Sequence, residues 1–130
     1  MDVQDLPPEV NAISGAVLDS ALRVHSVLGP GLLERVYKLC LARELRKRGH
    51  RVEVEVQAPI VYEGERIEAA YRIDLLVDER VIVEEKAVDA LHPIHFGQLW
   101  TYLKLTQCPV GLLVNFNVRL LKEGFHRVVL

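Results

Sequence analysis

Arg72-Ile73-Asp74-Leu75-Leu76-Val77-Asp78-Glu79-Arg80-Val81-Ile82-Val83-Glu84-Glu85-Lys86 decides how this chain folds. Two β-type apolar runs flank three polar residues, and each run carries charge into what should be a half-buried strand. Side chains alternate along an extended strand, so Glu84 and Lys86 project to one face and Glu85 to the other. If Asp78, Glu79 and Arg80 form a three-residue hairpin loop, Val77 pairs with Val81 and Asp74 falls opposite Glu84, with Lys86 beside both acids. A two-residue loop would oppose Asp74 to Val83 and send the acids to different faces. An acid and an ammonium two residues apart can hold a metal ion and handle a water's proton. Removing such charges from water without a partner costs on the order of several kcal/mol, so they are used or they are paired. Lys86 is the candidate partner for Asp74, and a purely structural Asp74, Glu84 and Lys86 cluster is the alternative reading.

Outward from this hairpin, the apolar period defines the other elements. Ile13, Val17, Ala21, Val24 and Leu28 recur at helical spacing from Pro8 to Leu28, and Gly29-Pro30-Gly31 ends that helix. A second helix is predicted from about Leu32 to Arg48. Its last turn, Arg46-Lys47-Arg48, complements the helix dipole, although Arg35, Lys38 and these three residues could also form a phosphate-tracking surface. Glu34, Lys38, Leu41 and Leu45 share one stripe of this helix, with Glu34 at its head near Gly31, a residue that lets a neighbouring backbone come close. From Glu34 alone, complementing the dipole is a sufficient role. After Gly49 the period becomes two: Val52 to Gln57 and Ile60 to Tyr62 read as one strand, Glu63-Gly64-Glu65 as a turn, and Ile67 to Val77 as the next strand. A helix from about Ile94 to Leu105, a buried strand from Val110 to Phe116 and an edge strand from Phe125 to Leu130 complete the chain. Trp100 reads as core. The order of two helices, three strands, a helix and two strands is that of one α/β domain spanning 1–130, with 1–8 a flexible N-terminal segment.

Composition narrows the function classes. The 130 residues are 50% hydrophobic and 26% charged, enough for one domain with a real core, and the net charge of −2 argues against a strongly basic nucleic-acid binder while leaving room for a local basic patch. No apolar run approaches the roughly 18 residues of a membrane span. The acidic start, Met1-Asp2-Val3-Gln4-Asp5, lacks the plan of a signal peptide, so a cytoplasmic protein is expected. Cys40 and Cys108 read as reduced core thiols. His25, His92, His95 and Cys108 fit no standard zinc spacing.

Four segments together resemble a known family. Gly31-Leu32-Leu33-Glu34-Arg35-Val36-Tyr37 is similar to the signature of the GxxExxY family, which is assigned to the PD-(D/E)XK nuclease-like superfamily. Asp74 within Arg72 to Val77, and Glu84-Glu85-Lys86 within Val81 to Val88, resemble the superfamily's Asp and (Asp/Glu)-x-Lys motifs. Gln98-Leu99-Trp100-Thr101-Tyr102 resembles the Gln-x-x-x-Tyr motif of the RecB-like branch. The resemblance runs from about residue 12 to the end, and the four motifs keep their order and spacing. It implies a restriction-endonuclease-like core, a mixed central sheet flanked by helices. It also implies that Asp74, Glu84 and the Glu85 carbonyl bind a divalent cation, magnesium with manganese as a substitute, on a DNA or RNA phosphodiester. Lys86 would orient or deprotonate the attacking water, and Glu34 would complete the site directly or through water. Gln98 and Tyr102 would contact phosphate or brace Lys86, and His25 and His95 would border the cleft. Position 85 is usually apolar in the family, and alternation sends Glu85 to the opposite face, to pair with a basic residue or to lie at an interface. Two readings follow: a metal-dependent nuclease, or a non-catalytic nucleic-acid- or protein-binding module that retains the fold. A homodimer joined through the last strand is compatible with either.

Overall fold

The computed structural model describes residues 6–130. Of the segment expected to be flexible, residues 1–5 lie outside that range, whereas Leu6 is buried in the core and Pro8 opens the first helix. The elements are α1 (Pro8–Leu28), α2 (Glu34–Lys47), β1 (Val52–Tyr62), β2 (Glu65–Val77), β3 (Val81–Lys86), α3 (Pro93–Thr106), β4 (Val110–Asn115) and β5 (Phe125–Val129). A 3-10 turn over Leu121–Gly124, absent from the sequence reading, precedes β5. β1 continues through Pro59, where its register with β2 shifts between Ala58 and Ile60.

One five-stranded sheet has the order β1-β2-β3-β4-β5. β3 and β4 are parallel and the other neighbours antiparallel, so the mixed sheet expected from the resemblance is what forms. Parallel neighbours need a crossover, and α3 supplies it. α1 and α2 cover one face, burying Val17, Ala21, Leu41 and Leu45 against Val81, Val83, Leu112 and Val114. α3 covers the other, with Leu99, Tyr102 and Leu103 against Ile73, Ile82 and Leu113. β3 and β4 are therefore buried on both faces, which is why each reads as a near-continuous apolar run. α3 lies close to β4 at Gly111, where a Cβ would stand 2.6 Å from Leu99 Cδ1.

The hairpin takes the three-residue form. Val77 pairs with Val81, Leu76 with Ile82 and Leu75 with Val83. Asp78 and Glu79 both have positive φ, and the Arg80 N–H closes the turn on the Val77 carbonyl at 3.0 Å. Asp78 is anchored in turn, its carboxylate accepting the Arg51 N–H at 2.9 Å and meeting His50 Nδ1 at 2.6 Å. Strict alternation fails further along the ribbon. Leu75 and Val77 pack with α1 and α2, yet Ile73 packs with α3; on β1, Val52 and Val54 face one way and Val56 and Ala58 the other. Both switches fall at the facing residues Glu55 and Asp74, and Glu55 has the left-handed φ of 56°. Asp74 thus sits where the sheet changes face.

Candidate active site

At Asp74 the backbone ladder between β2 and β3 gives way to side chains. The last ladder pair is Leu75 with Val83. Beyond it, the Asp74 N–H donates to Glu84 Oε1 at 2.9 Å and the Glu85 N–H donates to Asp74 Oδ2 at 3.2 Å. The strands are held together here by the two carboxylates that the sequence singled out. Glu84 is 4% exposed, and burial together with the Asp74 charge pushes its carboxyl up to about 9, with Lys86 offsetting part of that rise. Lys86 follows on the same face as Glu84, half-buried at the strand end, and its carbonyl accepts the Phe116 N–H at 2.9 Å.

Two expectations about charge pairing are corrected. The ammonium beside Asp74 is that of Lys38, whose Nζ lies 3.4 Å from Asp74 Oδ1 and 3.2 Å from Glu55 Oε1; the ion pairs of the described residues do not include Lys86. Burial alone would lower the Lys38 pKa, but the Asp74 charge and the bonds to Glu55 and Asp74 outweigh it and hold the ammonium above its ordinary value. Glu85, expected to meet a base or an interface, is 1% exposed, and neither carboxylate oxygen has a hydrogen-bond partner among the described residues. Burial, then the charges of Asp74 and Glu84, raise its carboxyl well above the usual range. Parity was right and the surroundings were not, because the face opposite Glu84 is covered by α1 and α2 rather than by solvent.

The Gly31 to Tyr37 segment is a brace for the start of α2. Tyr37 is fully buried and stacked on Phe116, with ring centroids 4.5 Å apart. Its hydroxyl donates to the Gly29 carbonyl at 2.6 Å and accepts the Leu32 N–H at 3.1 Å, tying down the loop that presents Glu34. Gly31 serves through its φ of 97°, which disfavours other residues, and not through the close approach expected of it: none of the described residues lies within 4 Å of an added Cβ. Glu34 is exposed at the first position of α2, outside the Asp74 and Glu84 contacts, and its charge acts on His95 across the site.

From the other face, α3 contributes its first turns. The His92 N–H donates to His95 Nδ1 at 3.1 Å. Burial, Lys86 and His92 lower the His95 pKa, with Glu34 opposing them, so His95 lies within electrostatic reach of both Lys86 and Glu34. Gln98 and His95 line a cavity of about 440 Å³ with Tyr71, Ile94 and Thr101. Tyr102 does not brace Lys86: its hydroxyl donates to the Arg72 carbonyl at 3.2 Å, holding β2 two residues before Asp74, and burial with the nearby acids pushes it up to about 12. His25 joins α1 to the loop after β4 by donating from Nε2 to the Val118 carbonyl at 2.7 Å. Trp100, read as core, is 40% exposed. In the basic run, Arg46 donates to the Val52 carbonyl at 2.7 Å, and Lys47 and Arg48 pair with Glu44, which is the structural reading of that cluster.

Sequence reasoning missed three residues at this end of the sheet. Glu55 joins Lys38 to the acids. Buried Asn115 clasps the chain leaving β3, its Oδ1 accepting the Val88 N–H at 3.1 Å and its Nδ2 donating to the Val88 carbonyl at 2.9 Å. Lys38 was visible as part of the inward stripe of α2, but not as the partner of Asp74. Among the described residues, no three His, Cys, Asp or Glu side chains form a ready metal cage. Magnesium does not require one, since it commonly takes one or two carboxylates and keeps several waters. Asp74 and Glu84 fit such an ion: both are hard oxygen donors at the end of the ladder, and burial together with the Asp74 charge raises the Glu84 carboxyl, a rise that a cation would oppose.

A family model described as the PD-(D/E)XK nuclease superfamily matches residues 11–128. Among solved structures, the crystal structure of SSO0001 is similar at a TM-score of 0.55 and 21% identity, over 92% of this chain and 62% of that one. This chain therefore spans less than two thirds of SSO0001, and the likeness bears on the fold alone. No curated protein matches the sequence. Among the described residues, no helix is long and apolar enough to cross a membrane.

Proposed function

The chain belongs to the PD-(D/E)XK nuclease superfamily, and we propose that within it this protein is a cytoplasmic, GxxExxY-type nuclease that hydrolyses DNA or RNA phosphodiester bonds with magnesium, or manganese in its place. The observation that carries this reading is the bonding at the end of the β2–β3 ladder, where the Asp74 N–H donates to the Glu84 carboxylate and the Glu85 N–H to the Asp74 carboxylate, with Lys86 next on the same face as Glu84. Asp74, Glu84 and the Glu85 carbonyl would hold the ion, with Glu34 completing the site through water. Such an ion polarises a phosphoryl oxygen and favours a hydroxide nucleophile at neutral pH.

Lys86 accepts or positions the water's proton and lends positive charge to the phosphate as it becomes more negative. Gln98, at the wall of the α3 cavity, donates to a phosphate oxygen, and His95 stands beside it. Tyr102 acts through Arg72, fixing the strand that carries Asp74. The test is cleavage of single-stranded, double-stranded and branched nucleic acids with magnesium or manganese. Cleavage that is lost in Asp74→Ala with Lys86→Ala supports the proposal; activity no higher than that of the double variant on every substrate overturns it.

One observation favours a second reading, a non-catalytic binding module that retains the nuclease fold. Both Asp74 oxygens already have partners within the chain, Lys38 and the Glu85 N–H. Calorimetry separates the two: magnesium or manganese binding that disappears in Glu84→Ala supports the nuclease, and no binding at millimolar ion supports the module.

A further inference from the structure

Lys38 stands among the acids in a way that the proposed reaction does not require. Glu55 and Asp74 face each other across the β1–β2 pair, between Val54 with Leu75 and Val56 with Ile73. Like charges directly opposite in a sheet repel. Here the backbone is bent to admit a third group: Glu55 takes a φ of 56°, and the Lys38 side chain, 14% exposed, enters from α2 to bond both carboxylates at 3.2 and 3.4 Å. Arg35 and Arg72 lie 3.6 and 3.9 Å from Glu55, whereas the ion pair of Asp74 among the described residues is with Lys38. Lysine suits the place, since its ammonium is a compact point charge on a long stem.

We propose that the Lys38 ammonium is a tethered cation filling a second cation place on Asp74, so that taking the amine away creates one additional site for a divalent ion. The inference rests on the reading of Asp74 as a metal ligand. Asp74 Oδ2 accepts the Glu85 N–H and Oδ1 the Lys38 ammonium, which leaves one lone pair on each oxygen for an ion held with Glu84. A second ion on the Glu55 side would have to displace the ammonium. Without the amine, Asp74 Oδ1 and Glu55 Oε1 remain as hard oxygen donors facing one gap, which suits magnesium or manganese.

Manganese titration of the full chain, followed by calorimetry and by the paramagnetic signal of free ion, tests this in wild type, Lys38→Gln and Lys38→Arg. The expected result is one more bound ion per chain in Lys38→Gln than in wild type, no gain in Lys38→Arg, and loss of the gained ion when Glu55→Gln is added. If circular dichroism shows Lys38→Gln unfolded, Lys38→Met keeps the buried stem and carries the same expectation. One ion in both wild type and Lys38→Gln overturns this inference and leaves the nuclease reading standing. None in wild type and one in Lys38→Gln supports the inference and overturns metal dependence of the native chain. None in either overturns both.

Discussion

Replacing Glu85 with leucine should make this protein more stable, and more so as the pH rises. Glu85 is 1% exposed with both oxygens unpartnered, and it sits on the strand face packed by α1 and α2. An unsatisfied buried polar group costs about 1–3 kcal/mol. Leucine in the same space adds about 1.5–3 kcal/mol of apolar burial, and imperfect fit takes back about 1 kcal/mol. The net expectation for Glu85→Leu is stabilisation by about 1.5–5 kcal/mol near pH 5.5. Folding raises this carboxyl above its ordinary 4.5, so the folded chain keeps a proton that the unfolded chain releases. The stability contributed by that proton is full below 4.5 and is lost as the pH climbs towards the folded value. One proton is worth about 1.4 kcal/mol per pH unit, so the advantage of the leucine variant should widen by up to about 2.7 kcal/mol between about pH 5.5 and 7.5. Urea unfolding followed by far-UV circular dichroism, in chelator to keep the site metal-free, measures both quantities. A variant no more stable than wild type, or an advantage that stays level with pH, would show that Glu85 is not an uncompensated buried acid.

The same acid cluster predicts proton release. With Glu84 pushed up to about 9 in the metal-free chain, manganese binding at neutral pH should expel about one proton, and apparent affinity should rise about tenfold per pH unit from about pH 6 to 8. Calorimetry in buffers of different ionisation enthalpy reads the release, and pH-independent affinity would contradict it. Tyr37→Phe keeps the stack on Phe116 but strips the hydroxyl from Gly29 and Leu32, and should cost about 1–2 kcal/mol in urea unfolding; no loss would remove the bracing role assigned to it. Gly111→Ala drives a methyl to 2.6 Å from Leu99 in a packed core and should destabilise by about 1–3 kcal/mol, visible as a lower thermal midpoint. If β5 at the sheet edge joins two copies, light scattering at micromolar concentration should give twice 14.7 kDa, and a monomer would end that proposal.

The hairpin was legible because its evidence is local. The three residues Asp78 to Arg80 set the register, and the register sets Asp74 beside Glu84. The helices that carry Glu34 and Gln98 were legible too, each ending within two residues of its expected bounds. What failed depends on groups distant in sequence. Strand parity states which face Glu85 is on but not what covers that face, and the cover is the pair of helices from the first third of the chain. Lys86 was the nearest ammonium along the strand, while Lys38, 36 residues away from Asp74, is the nearest in space. Glu55 belonged to a regular polar alternation, and nothing in Val52 to Gln57 signals a residue with a φ of 56°. Its distortion follows from having Asp74 opposite and Lys38 above.

These failures share a physical cause that bears on function. The acids at the end of the ladder are charged or polar groups in a sheet buried on both faces, so Asp74 and Glu84 are tolerated through contacts made elsewhere, Lys38 for Asp74 and backbone N–H groups for both, whereas the Glu85 carboxyl has none among the described residues. A site held this way gives up stability, and the leucine variant separates the two reasons a chain could do so. If Glu85→Leu is stabilised and cleaves as well as wild type, the carboxylate is dispensable and only the Glu85 carbonyl belongs to the reaction. If it is stabilised and cleavage falls at least tenfold with manganese affinity, the buried carboxyl helps fix the place of the Glu85 carbonyl that holds the ion. The stability it forgoes is then the cost of that placement.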